Sequence, residues 1–297
     1  MSSRPLLDPK VLTAIKDLSL VARTVIDGFM AGLNRSQVKG TGLEFSQYRS
    51  YQPGDDLRWL DWKMYARSDR YYIRESEMET SISVRFLIDA SNSMNHQDSG
   101  LSKMDYARYL AAALAYLSFM QGDATGLYVF QDGQLFSLPS RKDPQHLSRI
   151  FYQLENIQPA GQFTNEVHYK QLFTGERRKE LLIFITDMYQ QRQEITTLLN
   201  SLAALQHEII VFHLMGRNEL EMNFSGYTTL QDLETGETTP LNNAQMKKAY
   251  TAKLQAYLAA TRMQLLEQNI FYRLVEMDQP LDKALRDFLN QRQKSLI

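Results

Sequence analysis

The stretch Val84-Arg85-Phe86-Leu87-Ile88-Asp89-Ala90-Ser91-Asn92-Ser93 reads as a buried strand ending in a carboxylate and two hydroxyls at alternate positions. A second apolar run, Leu181-Leu182-Ile183-Phe184-Ile185, ends in Thr186-Asp187. Open parallel sheets bind ligands beyond the carboxyl ends of their strands, where the winding direction reverses, so the two ends are expected to share one crevice. A third loop, Gly161-Gln162-Phe163-Thr164-Asn165, arrives between the same strands with another hydroxyl. Carboxylate and hydroxyl oxygens are hard donors suited to magnesium or manganese. The candidate metal ligands are therefore Asp89, Ser91, Ser93, Thr164 and Asp187. Asp and Ser at a strand end also serve as helix caps. Asp187, at an independent strand end, weakens that reading for Asp89, Ser91 and Ser93.

Outward from this strand, helices and strands alternate from Ser81 onward, as in a wound α/β sheet. Ser102 and Asp105 open a helix whose Ala107, Leu110, Ala111, Leu114 and Leu117 share a face. Asp132-Gly133 joins two strands by a tight hairpin turn, which makes one strand antiparallel to the rest. Asp143-Pro144 opens another helix, and Ile195, Leu198, Leu199 and Leu202 line the inner face of a third. The stretch 218–268 interrupts the alternation with a hairpin around Glu234-Thr235-Gly236-Glu237 and a long helix striped by Met246, Tyr250, Leu254, Tyr257, Leu258 and Leu265. A last strand, 271–275, and a helix after Pro280 close the domain. Two parts are expected: 1–80, an N-terminal helix and an Arg/Trp-rich appendage, and 81–297, the sheet domain. In the first, Asp8 and Pro9 start one helix that carries Val11, Leu12, Ile15, Leu18 and Val25 on one face and ends near Gly28.

The appendage runs through Tyr48-Arg49, Tyr51, Pro53-Gly54-Asp55-Asp56, Arg58-Trp59 and Asp61-Trp62 to Ala66-Arg67. Its arginines can pair with Glu44, Asp55, Asp56 or Asp61, and its tryptophans can pack beneath the sheet. Trp, Tyr and Arg also dominate interface hot spots, so Arg49, Arg58, Trp59, Trp62 and Arg67 are candidate partner-binding residues.

Composition narrows the function. The 297 residues carry 33 basic and 34 acidic side chains, a net charge of −1, which gives no electrostatic case for nucleic acid or an anionic membrane. The chain has no cysteine, which excludes disulfides, thiol catalysis and zinc–thiolate sites. The start, Met1-Ser2-Ser3-Arg4-Pro5-Leu6, lacks the apolar core of a signal peptide. No apolar segment is long enough to span a bilayer. A cytoplasmic protein is expected.

Asp89-x-Ser91-x-Ser93, the loop threonine Thr164 and the loop aspartate Asp187 resemble the metal-ion-dependent adhesion site of von Willebrand factor A domains. The resemblance implies a Rossmann-like fold: a mostly parallel central sheet with one antiparallel edge strand and helices on both faces. It implies that the serines and threonine touch a magnesium ion, that the aspartates act through water, and that a partner's acidic side chain fills the open position. Gly161-Gln162-Phe163-Thr164 has one residue more than that family's usual Gly-Gly-Thr. The order Gly40-x-Gly42-x-Glu44-Phe45, Tyr48-Arg49-x-Tyr51-x-Pro53-Gly54-Asp55-Asp56-x-Arg58 and Asp61-Trp62-x-x-x-Ala66-Arg67, followed later by Asp232-Leu233-Glu234-Thr235-Gly236, is similar to the bacterial domain-of-unknown-function family numbered fifty-eight. That resemblance implies a metal-dependent adaptor working with a MoxR-type AAA+ ATPase in chaperone-like protein maturation.

Two other readings stand beside the non-enzymatic adaptor. Asp89 at a strand end is also the nucleophile position of magnesium-dependent, haloacid-dehalogenase-type phosphatases. Their general acid lies two residues on, where this chain has Ser91, which does no acid–base work near neutral pH. No Gly-x-Ser-x-Gly elbow or Gly-x-x-x-x-Gly-Lys loop is present. The third reading is a structural protein with a vestigial site. The adaptor reading requires the five oxygens to converge without a lysine or arginine of the chain filling the pocket.

Overall fold

The computed structural model describes residues 9–12, 15, 17–36, 48–50, 65, 71–74, 81–164, 179–222, 229–240 and 244–295. In chain order the strands are β1 (Tyr48–Ser50), β2 (Tyr72–Arg74), β3 (Ser83–Asp89), β4 (Gln97–Asp98), β5 (Leu101–Ser102), β6 (Ala124–Gln131), β7 (Gln134–Arg141), β8 (Leu181–Thr186), β9 (Glu208–Met215), β10 (Thr229–Gln231), β11 (Thr238–Pro240) and β12 (Phe271–Glu276). The helices are α1 (Pro9–Leu12), α2 (Leu18–Ser36), α3 (Lys103–Met120), α4 (Pro144–Asn156), α5 (Glu194–Ala204), α6 (Arg217–Glu221), α7 (Ala244–Glu267) and α8 (Asp282–Ser295). The chain forms two compact units, Met1–Phe29 with Ser81–Ile297, and Met30–Thr80.

In the larger unit six strands form one sheet in the order β12-β9-β8-β3-β6-β7, parallel except for β7 at the edge. The antiparallel edge follows from the Asp132-Gly133 turn, where both residues take positive φ (46° and 71°), the conformation of a tight hairpin. The strand β3 is central, with β6 on one side and β8 on the other, so the winding reverses at its carboxyl end. β3 is buried on both faces from Val84 to Asp89, as a covered parallel strand must be. One sheet face, with Leu87, Phe130, Phe184 and Val211, packs on Ile195, Leu198, Leu199 and Leu202 of α5 and on Leu265 of α7. The alternate residues Phe86, Ile88, Leu127, Ile183 and Phe212 are equally buried, on the side where α3 and α8 lie. The expected mostly parallel α/β sheet with one antiparallel edge strand is therefore the fold. Local signals set its helices: Ser102 Oγ accepts from Asp105 N at the head of α3, and Asp143 Oδ1 accepts from Gln145 N at the head of α4.

At the N-terminus the structure departs from the single helix expected. α1 stops at Leu12, and α2 starts afresh at Leu18 because the Asp17 carboxylate accepts from Ser19 N and Leu20 N (2.8 and 3.1 Å), holding its pKa below the usual carboxylate range. α2 then runs through Gly28 to Ser36. Its Val21, Ala22, Val25, Ile26 and Phe29 are fully buried, and Leu18 N donates to Glu155 of α4. In the smaller unit, β1 and β2 pair antiparallel with Arg49 opposite Ile73, and Tyr65 stacks on Tyr71 with ring centroids 4.5 Å apart.

Candidate metal centre

β3 and β8 are adjacent, so the loops beyond Asp89 and Thr186 emerge side by side. Asp89 is fully buried and its two oxygens are both engaged: Oδ1 accepts from Ser91 N (3.0 Å) and Oδ2 from Thr186 Oγ1 (2.6 Å). It therefore ties one strand end to the other and fixes the loop that carries the serines. That loop turns into one 3-10 turn, Asn92–Asn95, with Ser91 at its head. The Ser91 and Ser93 hydroxyls lie 3.0 Å apart, and Ser93 Oγ donates to Asp187 Oδ1 at 3.1 Å. Asp187 is positioned in turn by Tyr189 N, which donates to the same oxygen.

Four of the five predicted ligands thus form one hydrogen-bonded group: Asp89, Ser91, Ser93 and Asp187. Thr164 is not joined to it. Its hydroxyl is buried without a hydrogen-bond partner, 3.5 Å from where a Cβ on Gly133 would stand. The loop that carries it is fastened beside the serines, since Asn92 N donates to Gly161 O and Ala160 N to Ala90 O, both at 2.9 Å. Gly161 is required there: its φ is +65°, and an added Cβ would fall 2.1 Å from Asp132 Oδ1. Of the candidate partner-binding residues, Arg49 lies on β1, while Arg58, Trp59, Trp62 and Arg67 lie outside the described residues.

Three charged groups at the site were not foreseen. Lys103, in the first turn of α3, is buried and bridges Asp187 Oδ2 (2.9 Å) and Glu219 Oε1 of α6 (2.8 Å). Burial pushes its pKa down, but the two carboxylates outweigh that and hold it above the ordinary lysine value. A cation at a helix N-terminus opposes the helix dipole, and that mismatch was the one sequence signal available. The third is Glu234, in the turn between β10 and β11, whose carboxylate faces the Ser91 and Ser93 hydroxyls. Its Oε1 is buried with no hydrogen-bond partner.

The carboxylates repel one another. Burial, reinforced by the Asp187 charge, pushes the Asp89 pKa up to about 7, against hydrogen bonds from Thr186 and Ser91. Burial, together with Asp89 and Asp187, pushes Glu234 to about 7 despite the serine hydroxyls. Asp187 moves the other way: burial raises it, but the Lys103 ammonium beside it holds it below the usual range. Beside the serines a cavity of about 400 Å³ opens between Lys103, Asp187, His213, Glu219, Tyr250 and Tyr257.

No group of three or more His, Asp or Glu side chains among the described residues is arranged to hold a metal by itself. The fit to a hard cation rests on hydroxyls flanked by carboxylates. Neighbouring ligands of an octahedral magnesium ion, each at about 2.0 to 2.1 Å, stand roughly 2.9 Å apart. The separations Ser91 Oγ to Ser93 Oγ (3.0 Å) and Ser93 Oγ to Asp187 Oδ1 (3.1 Å), spanned here by hydrogen bonds, are compatible with that edge. Lys103 donates to Asp187 Oδ2 and Glu219 Oε1, so a cation of the chain already sits on one of the two Asp187 oxygens while Oδ1 faces Ser93.

The family model described as a protein of unknown function, DUF58, matches residues 47–260. The chain belongs to that family. Uncharacterised proteins of Mycobacterium tuberculosis and Mycobacterium bovis are each 27% identical to this DUF58 chain over 232 residues, covering 77% of it and 73% of their own length. Similar solved structures include the conserved hypothetical protein BatB from Bacteroides thetaiotaomicron (20% identity, 72% of this chain and 100% of that one, TM-score 0.48). Another is the SpRpn10 VWA domain (12% identity, 71% and 95% coverage, TM-score 0.42).

Proposed function

We propose that this DUF58 domain is a non-enzymatic, divalent-metal-dependent protein-binding module. Ser91, Ser93 and Asp187 would hold magnesium or manganese, with Asp89 fixing the loop from behind. The observation that carries the reading is the pair of serine hydroxyls at octahedral-edge spacing, beside an Asp187 oxygen and an Asp89 that locks both strand ends. When bound, the metal supplies an electrophile with room for a carboxylate from outside. The chain's own residues orient that electrophile, and the engaged state of both Asp89 oxygens supports a binding role over a nucleophilic one. The partner is an acidic side chain of another protein, and the family resemblance makes a MoxR-type AAA+ ATPase the first one to test.

A specific observation favours a second reading, in which no metal is needed: Lys103 already supplies a cation to Asp187. The two readings part on one experiment. Binding of a purified MoxR-type ATPase to the immobilised chain is measured in magnesium and in chelator, for the wild type and for Ser91→Ala and Asp89→Ala. The metal-dependent module binds only in magnesium and loses binding in both variants, with unchanged circular dichroism. Equal binding in chelator, or by the variants, would favour the lysine-filled site.

A further inference from the structure

In sequence, the connection between β10 and β11 reads as a hairpin turn. In the structure Asp232 organises it, with Oδ1 accepting from Glu234 N (2.8 Å) and Thr235 N (2.9 Å) and its carbonyl accepting from Gly236 N (2.9 Å). The turn is then pinned to each of the three loops that border the site. The Asn92 side chain, between the two serines, donates to Leu233 O. Gln162, in the Thr164 loop, donates to Glu234 O at 3.4 Å. Tyr189, two residues past Asp187, donates its hydroxyl to Asp232 Oδ2. The net effect is to bring one carboxylate, Glu234, to the Ser91 and Ser93 hydroxyls, with one of its oxygens buried and unpartnered.

We propose that Glu234 is the site's own acidic ligand, placed by the β10–β11 turn in the position beside Ser91 and Ser93 that a partner's carboxylate would take. This rests on the metal-dependent reading above. Three separate hydrogen bonds hold the turn that carries Glu234 near Asp89 and Asp187, an arrangement that like charges oppose unless a cation lies among them. An unpartnered buried oxygen is costly in the same way, and a cation between it and the serines relieves both costs. The consequence is a latch. A partner's acid must first lift Glu234 off the metal, so its apparent affinity is reduced by the fraction of molecules in which the turn is open. Anything that loosens Asn92, Gln162 or Tyr189 from the turn raises that fraction.

Mn²⁺ serves as the probe, because its bound waters are counted by proton relaxation. The full chain is titrated with Mn²⁺ as wild type, Glu234→Gln, Glu234→Ala and Tyr189→Phe, and acetate is then added to each as a free carboxylate. The latch predicts one more water on Mn²⁺ in Glu234→Ala than in the wild type, with affinity lower by roughly ten- to a hundred-fold. It also predicts that acetate removes a water in Glu234→Ala and Tyr189→Phe at concentrations that leave the wild type unchanged. Loss of Mn²⁺ from Glu234→Ala alone, with retention in Glu234→Gln and an unchanged fold, supports the same assignment. Equal hydration and equal acetate response in all four chains overturn the latch and leave the metal site standing. Failure of every chain, wild type included, to bind Mn²⁺ removes the metal site and the latch together.

Discussion

The two ends of β3 bury charge in opposite ways. At the amino end Arg85 is fully buried against Glu180, with Nε 3.0 and 2.8 Å from its two oxygens, while Nη1 reaches Tyr128 OH and Ser83 Oγ donates to the same carboxylate. There, among the described residues, one guanidinium meets one carboxylate, and a hydroxyl bonds to each of them. At the carboxyl end, among the described residues, Lys103 bridges Asp187 and Glu219, while Asp89 and Glu234 lie close enough to Asp187 to feel its charge. Among the described residues, the first end sets one guanidinium against one carboxylate, and the second places four carboxylates with one ammonium beside a cavity. Burial alone does not mark a functional site, since Arg85 is as buried as Asp89. The mark is burial with the charge left unmatched.

The largest expected effect lies at the balanced end. Arg85→Met alone takes the guanidinium away from the buried Glu180 and should cost about 3 to 5 kcal/mol in denaturant unfolding, while Arg85→Met with Glu180→Leu recovers most of it. Metal should leave both unaffected in relative terms. A double variant as unstable as the single one would mean that packing, not charge balance, holds this end.

Next comes Lys103→Met, which removes the ammonium that bridges Asp187 and Glu219. The metal-free variant should lose on the order of 3 kcal/mol, and saturating magnesium should raise its melting temperature further than that of the wild type. An equal magnesium shift in both chains would show that Lys103 does not share its carboxylates with the metal. Smaller still, Gly161→Ala places a Cβ against Asp132 in a left-handed backbone and should cost about 1 to 3 kcal/mol. Because Gly161 O anchors Asn92, it should also weaken metal binding, which a calorimetric titration of the folded variant reads.

The gentlest probe of the comparison is pH. Asp89 and Glu234 have folded pKa values near 7, raised above the 3.8 and 4.5 of the free side chains. The folded protein therefore holds protons that the unfolded chain has released. That contribution to stability is complete below about pH 4 and is lost as pH rises through 7. Melting temperatures of Asp89→Asn with Glu234→Gln should fall less across this window than those of the wild type, and magnesium should flatten the wild-type curve. Identical slopes for variant and wild type would show that these two acids are not strained.

What could be read beforehand was local. The apolar run into Asp89, the Ser102 and Asp143 caps and the Asp132-Gly133 turn each carry their geometry within a few residues, and the mostly parallel sheet with one antiparallel edge strand followed from them. The α1–α2 break was missed because Asp17 caps a helix from within a stretch whose apolar spacing continues across it. In the site, Asp89, Ser91, Ser93 and Asp187 were legible because each closes a strand. Lys103, Glu219 and Glu234 were not, because they arrive from a helix start and two excursions more than a hundred residues downstream of β3, and only the folded chain brings Lys103 and Glu219 to Asp187 and Glu234 to the serines. The extra residue before Thr164 marked that loop as unlike the expected pattern, and in the structure its hydroxyl joins no other ligand.

Calorimetric titration of the purified chain with magnesium, beside Ser91→Ala, tests the central claim most directly. An unmatched, oxygen-lined site predicts one ion bound per chain in the wild type and none in the variant at the same concentrations. No heat in the wild type, or equal binding by Ser91→Ala, would contradict it.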